Sequence, residues 1–105
     1  MKSKYRNIKT NGYDSKKEAN RAYELKMLER GGIISNLQEQ VKFIIQPKFK
    51  HNGKAEREIS YIADFVYAKD GSQVVEDVKG FKTDVYKIKR KMLLFSHPNI
   101  IFIET

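Results

Sequence analysis

The chain predicts an α/β fold of the α+β kind, a mixed central sheet flanked by helices in the order αβββαβ. Three observations point to it. Two stretches have helical spacing and end at helix stops, Gly31-Gly32 and Pro98. Several runs between and after them are rich in β-branched and aromatic residues. Asp70-Gly71 joins two of those runs as a hairpin turn. At 105 residues there is room for a single domain spanning 1–105, with one core and one site.

Residues 1–13 are polar and basic, with the turn pair Asn11-Gly12, and read as an arm. Ser15-Lys16-Lys17-Glu18 has the spacing of a capping box and opens the first helix, which Gly31-Gly32 stops. Ile33 to Ile45 suits one bent strand or two short ones, and residues 48–57, with Asn52-Gly53, read as a loop. Glu58 to Ala68 reads as a strand with apolar residues on both faces, so that both are covered. Val74 to Lys79 is its returning partner. Thr83 caps the second helix, in which Val85, Ile88, Met92 and Phe95 form an apolar stripe expected to pack on the sheet. Asn99 to Glu104 is a last buried strand.

Twenty-one Lys and Arg against thirteen Asp and Glu leave a formal charge of +8, which attracts polyanions and favours nucleic acid as a partner. Cysteine is absent, which excludes a disulfide framework and a thiolate zinc site. No run approaches the roughly 20 apolar residues of a membrane span, and the basic start Met1-Lys2-Ser3-Lys4 is not followed by a signal-peptide core. A cytoplasmic location, in a host cell if the gene belongs to a phage, is the expectation.

The chemistry concentrates in the hairpin. Side chains alternate along a strand, so Asp77 and Lys79 point one way while Glu76 and Val78 point the other. A two-residue loop at Asp70-Gly71 sets Asp64 directly opposite Asp77, and like charges so placed are destabilising. A divalent cation between the two carboxylates, with Lys79 beside them, resolves the conflict, and hard oxygen ligands favour Mg²⁺, with Mn²⁺ substituting. The plain alternative is a structural Asp64–Lys79 salt bridge with Asp77 solvated. Glu18 also carries two readings: a capping group, or a first-turn carboxylate on the inward face shared with Ala22 and Leu25. On the second helix Lys87, Arg90 and Lys91 share a face able to follow a phosphate backbone, and Lys82 lies near its start. His51 and His97 lack ligand spacing and are assigned no chemistry.

Glu18, then Ile62-Ala63-Asp64-Phe65, then Glu76-Asp77-Val78-Lys79-Gly80 resembles the PD-(D/E)XK nuclease superfamily. Nearly the whole chain, including Tyr5-Arg6-Asn7 and Asp14-Ser15-Lys16-Lys17-Glu18-Ala19, is similar to small phage and prophage nucleases, among them junction-resolving enzymes. Ala63 stands where the motif has proline, at a position that varies in the superfamily. The resemblance implies a restriction-endonuclease-like core in which Asp64, Asp77 and the Val78 carbonyl bind Mg²⁺. It implies that Glu18 adds a ligand and that Lys79 orients or helps deprotonate the attacking water. Gln40 falls where related nucleases sometimes place a polar active-site residue.

The expected function is metal-dependent hydrolysis of DNA phosphodiester bonds, leaving a 5′-phosphate and a 3′-hydroxyl, with a Holliday junction or other branched DNA as first choice of substrate. Two coordinated cuts from a chain with one site call for a homodimer. A nicking or general double-strand endonuclease fits nearly as well, and RNA stays open. The rival from another class is a non-catalytic basic DNA-binding module.

Overall fold

The computed structural model describes Gly12, Tyr13 and residues 15–105. The rest of the expected arm, including Tyr5-Arg6-Asn7, lies outside the described residues, as does Asp14.

Ser15 caps helix α1 (Lys16–Arg30) by accepting a hydrogen bond from the Glu18 N–H at 3.0 Å. Gly31 ends the helix, and Gly32, at φ +79°, turns the chain into the sheet, a conformation that glycine adopts without steric cost. Strands β1 (Ser35–Gln46), β4 (Ile59–Lys69), β5 (Ser72–Asp77) and β6 (Ile101–Glu104) form one sheet in the order β1-β4-β5-β6. The β1–β4 and β4–β5 pairs are antiparallel and β5–β6 is parallel, across helix α2 (Asp84–Ser96). The mixed sheet and the order αβββαβ therefore hold for the principal elements.

Residues expected to loop between strands instead form a small separate hairpin, β2 (Phe49–His51) with β3 (Lys54–Glu56), turned by Asn52-Gly53. Both turn residues have positive φ, 49° and 78°, as a two-residue hairpin loop requires. The last strand is also shorter and less covered than predicted, because it forms an edge of the sheet, and Ile101 is 47% exposed.

The core has two halves, one under each helix. Ala22 and Leu25 of α1 pack with Ile34, Phe65, Tyr67 and Val74. Leu93 of α2 packs with Tyr61, Ala63, Val66 and Val75. Within β4, then, Tyr61 and Ala63 face α2, while Phe65 and Tyr67, of the same parity, face α1. β1 changes over at the same level, since Leu37 joins the α1 half and Val41, Phe43 and Ile45 join the α2 half. The unbroken alternation expected along β4 is corrected accordingly. Pairing is in one register on both sides of the break, Glu39 with Phe65 and Val41 with Ala63, but Gln40 sits at φ +54°. In β1 this one irregular residue marks the changeover, and β4 makes it opposite, at Asp64, without a positive φ.

The expected packing of α2 is also corrected. Leu93 is the residue of α2 that is fully buried, whereas Val85 (61%), Ile88 (60%) and Phe95 (89%) stand in solvent. Tyr86 and Leu93 face the sheet, and the Tyr86 hydroxyl and Arg90 meet Glu104 of β6. A carboxylate beneath the helix attracts its polar, ring-bearing face, and the purely apolar stripe is turned outward.

This packing sets the stability of variants. Leu93→Ala is expected to cost about 2–5 kcal/mol in urea unfolding, as for a large-to-small core change. In the single chain, at a concentration where no dimer forms, Phe95→Ala should fall within roughly 0.5 kcal/mol of the parent. A large loss at Phe95 would return the stripe to the core.

Candidate active site at the open end of β4 and β5

The predicted hairpin register is observed. Lys69 pairs with Ser72 and Phe65 with Glu76, so the next position along brings Asp64 to Asp77. There the strand pairing ends and the two acids take over its hydrogen bonds. The Asp64 N–H donates to Asp77 Oδ1 at 2.9 Å, and the Val78 N–H donates to Asp64 Oδ2 at 2.9 Å. Backbone donors thus offset much of the repulsion that opposed carboxylates would suffer. The plain alternative, an Asp64–Lys79 salt bridge with Asp77 solvated, is not found: that pair is absent from the ion pairs of the described residues, and Asp77 is buried.

Asp77 is wholly buried, and among the described residues its Oδ2 has no hydrogen-bond partner. Burial raises its pKa above the ordinary carboxylate value, against the lowering effect of the Asp64 N–H and the Lys79 charge; Glu104, its partner in the parallel β5–β6 register, adds to the rise.

Glu18 reaches this site from α1. Its N–H is used by the Ser15 cap while its side chain, buried on the inward face with Ala22 and Leu25, accepts a hydrogen bond from Gln40 Nε2 at 3.2 Å. The same Gln40 nitrogen donates to Asp64 Oδ1 at 3.3 Å. The Gln40 amide therefore bridges a helix carboxylate and a strand carboxylate. Its backbone lies in the left-handed region, a conformation worth about 1–3 kcal/mol of strain for a residue with a side chain. The inversion of faces along β1 and the presentation of this amide occur at one residue.

Lys79 continues the parallel pairing past the end of β5, its N–H donating to the Thr105 carbonyl at 3.0 Å while the Thr105 N–H donates to the Asp77 carbonyl at 2.9 Å. The Lys79 ammonium lies 4.7 Å from the centre of the Tyr86 ring, a cation–π contact that holds it on the α2 side near Asp77. Its own carbonyl accepts from the Lys17 ammonium at 3.4 Å.

Of the basic residues expected on a nucleic-acid face, Lys82 and Arg90 turn to Glu104, at 3.2 and 3.5 Å. Glu104 also accepts from the Tyr86 hydroxyl, and that bond, followed by the two cations, lowers its pKa. Lys82 and Arg90 thus first serve an internal carboxylate. Lys87 and Lys91 remain exposed.

Two groups around the site were not singled out from the sequence. Glu76, on the opposite face of β5 from Asp77, is fully buried and receives hydrogen bonds from Arg21, the Tyr67 hydroxyl at 2.7 Å and the Thr105 hydroxyl at 3.1 Å. Burial, and then the bond to Glu76, push the Tyr67 hydroxyl up to about 12. This network ties α1 to the sheet and so places Glu18. Tyr86 and Glu104 form the second group. Their only advance signal was an acid and a tyrosine within apolar elements, because the β5–β6 register that joins them to Asp77 is set by a parallel crossover.

A hard divalent cation bound here would need several oxygen donors. Among the described residues, no three acidic or imidazole side chains converge as a ready-made metal cluster. The chemistry of the donors nonetheless suits such an ion: Asp77 Oδ2 is a buried oxygen without a partner among the described residues, and the Gln40 amide nitrogen brings one oxygen each of Glu18 and Asp64 to itself.

An α+β core that opens an acidic and lysine-bearing strand end between two helices is thereby defined. A family model described as a protein of unknown function (DUF1064) matches residues 2–103, and the chain belongs to that family. No curated protein matches it.

The buried Asp77 carboxyl, with one oxygen held by the Asp64 N–H and the other unpartnered among the described residues, is expected to limit stability. In chelator at neutral pH, Asp77→Asn should raise the melting temperature, since a group that must bury its charge when ionised is replaced by a neutral amide. A carboxyl whose folded pKa is raised gains stability as pH falls through that value, because the parent then takes up its proton. The difference between parent and variant should therefore narrow towards acid in a pH series of melts; a lower melting temperature for the variant at pH 7 would contradict this. Separately, Arg21→Ala leaves Glu76 buried beside two hydroxyls alone and should cost about 3–5 kcal/mol, with Glu76→Gln restoring part of it in the double variant.

Proposed function

We propose that this protein is a metal-dependent endonuclease that hydrolyses phosphodiester bonds in cytoplasmic DNA. The observation that carries the reading is the Gln40 amide joining Glu18 and Asp64 beside the buried, unpartnered Asp77 Oδ2. Four chain-distant residues are brought to one strand end, and two strained or unfavourable features, the Gln40 backbone and the Asp77 carboxylate, coincide there. Such costs accumulate where chemistry is done. The formal charge of +8 favours a polyanionic substrate, and the motif resemblance to PD-(D/E)XK nucleases supports the same reaction class.

In this reading Asp64, Asp77 and Glu18, with the Val78 carbonyl, hold Mg²⁺ or Mn²⁺. When bound, the ion lowers the pKa of a water and offsets charge on the phosphate oxygens. The residues of the chain do the rest. Backbone N–H groups of Asp64 and Val78 fix the orientation of the two aspartates, so that each keeps one oxygen directed to the site. Gln40 holds Glu18 and Asp64 at a common distance before substrate arrives. Lys79, steadied against the Tyr86 ring, orients the attacking water and stabilises the developing charge. Lys87 and Lys91 follow the phosphate backbone, with Lys82 and Arg90 joining once Glu104 releases them. A branched substrate such as a four-way junction is the preferred form, cut by the two sites of a homodimer.

A second reading is favoured by one observation: three of the four carboxylate oxygens of Asp64 and Asp77 already accept from backbone N–H groups or an amide, and no preformed metal cluster is found among the described residues. That arrangement would also serve a basic DNA-binding module without catalysis.

The test is cleavage of end-labelled four-way junction, nicked duplex and linear duplex with Mg²⁺, Mn²⁺ or EDTA. Metal-dependent cutting is expected, abolished by Asp77→Ala and Lys79→Ala with DNA binding retained, and reduced by Gln40→Ala. Symmetric cutting of the junction alone would support resolution, and equal cutting of all three a general endonuclease. Tight binding without cutting, or cutting in excess EDTA, would remove the proposed chemistry.

A further inference from the structure

Helix α2 leaves Val85, Ile88 and Phe95 uncovered, with the half-buried Met92 on the same stripe, and Phe81 before the helix is exposed as well. Phe81 is 84% and Phe95 89% exposed, so these two rings alone present roughly 300 Å² of apolar surface. A continuous patch of a few hundred Å² is the mark of a contact surface rather than of scattered exposure. At 100° per residue, the stripe lies on the side of the helix away from Tyr86 and Leu93, which face the sheet. It is therefore not a core face imperfectly covered.

We propose that this stripe binds the same stripe of a second copy, with the two α2 helices antiparallel about a two-fold axis at Ile88. The spacing of the residues is what selects this occupant. Phe81 and Phe95 lie seven positions before and after Ile88, and Val85 and Met92 lie three before and four after it. A two-fold contact must match a surface to itself in reverse order, and here an exposed phenylalanine stands towards either end, Phe95 on the helix and Phe81 in the segment before its Thr83 cap. Charge agrees with the same register. Asp84 and Lys91 lie on one flank of the stripe, four positions before and three after Ile88. In an antiparallel pair each Asp84 then comes beside Lys91 of the other copy, on both sides of the axis.

Shape agrees as well. A cleft of about 480 Å³ lies beside Phe95, lined also by Ile45 and Met92; in this register it receives Phe81 of the second copy. One feature opposes the contact, because Lys89 near the axis on the other flank faces its own symmetry mate. A flexible lysine can direct its ammonium to solvent, so this repulsion is small beside the burial of four phenylalanines.

The contact uses no residue of the proposed metal site; it does use Lys91, so the nuclease reading is kept apart from it with Ile88→Glu and Phe95→Glu, which alter neither the metal site nor the basic residues proposed to meet DNA. The full chain is run in sedimentation velocity and in size exclusion with light scattering. The mass of two chains is expected, and it should fall to one chain in Ile88→Glu and in Phe95→Glu, with the circular dichroism spectrum and melting profile of a folded protein. Lys91→Glu should weaken the dimer by setting two acids together, and Asp84→Lys combined with Lys91→Glu should restore it. A monomeric parent at high micromolar concentration would overturn the proposal, as would a dimer indifferent to Ile88→Glu. Failure of the charge reversal to restore association would overturn the antiparallel register. Cleavage of nicked duplex by the monomeric variants, measured alongside, reports the active site independently.

Discussion

Where β4 and β5 part, the backbone stops pairing with backbone and pairs with two aspartates instead. The Asp64 N–H turns to Asp77 and the Val78 N–H turns to Asp64, so each acid is both oriented by and indispensable to the end of the sheet. Much of the structure depends on this exchange. It allows an ionisable residue to sit wholly buried at Asp77 and leaves the other oxygen of Asp64 to the Gln40 amide, which also holds Glu18. Buried carboxylates without such donors would be driven to the neutral form.

The two faces of the sheet handle their charges differently. On the α1 side Glu76 is completely enclosed, yet Arg21, Tyr67 and Thr105 supply it with donors, and the result is a fastening between helix and sheet. On the α2 side Glu104 is shared by Tyr86, Lys82 and Arg90 near the surface. Between them Asp77 keeps an oxygen with no protein partner among the described residues. Two acids on neighbouring positions of one strand, Glu76 and Asp77, are thus equally buried and unequally satisfied. The unsatisfied one is adjacent to the motif lysine, which is where a functional reading places the cost.

The helices divide their roles in the same way. α1 commits its apolar face to the core and delivers Glu18 from its first turn. α2 commits Tyr86, Leu93 and Arg90 to the sheet and leaves its most apolar residues outside. A helix can do this only if its outward stripe is tolerated or matched elsewhere.

Local signals determined a good deal of this by themselves. Asp70-Gly71 set the hairpin register that brings Asp64 to Asp77, because a two-residue loop leaves no freedom in the pairing. Ser15 and Glu18 marked the start of α1, and Gly31-Gly32 its end, since caps and stops act over three or four residues. The inward face of Glu18, Ala22 and Leu25 followed from helical spacing. Tertiary structure decided the remainder. The inversion of faces at Gln40 and Asp64 coincides in β1 with one left-handed residue that composition does not mark. The orientation of α2 depends on Glu104, which comes beside Asp77 through a parallel crossover from a distant strand. Periodicity identifies that a helix has an apolar stripe, but which face meets the sheet is settled by the hydrogen bonds and charges beneath it.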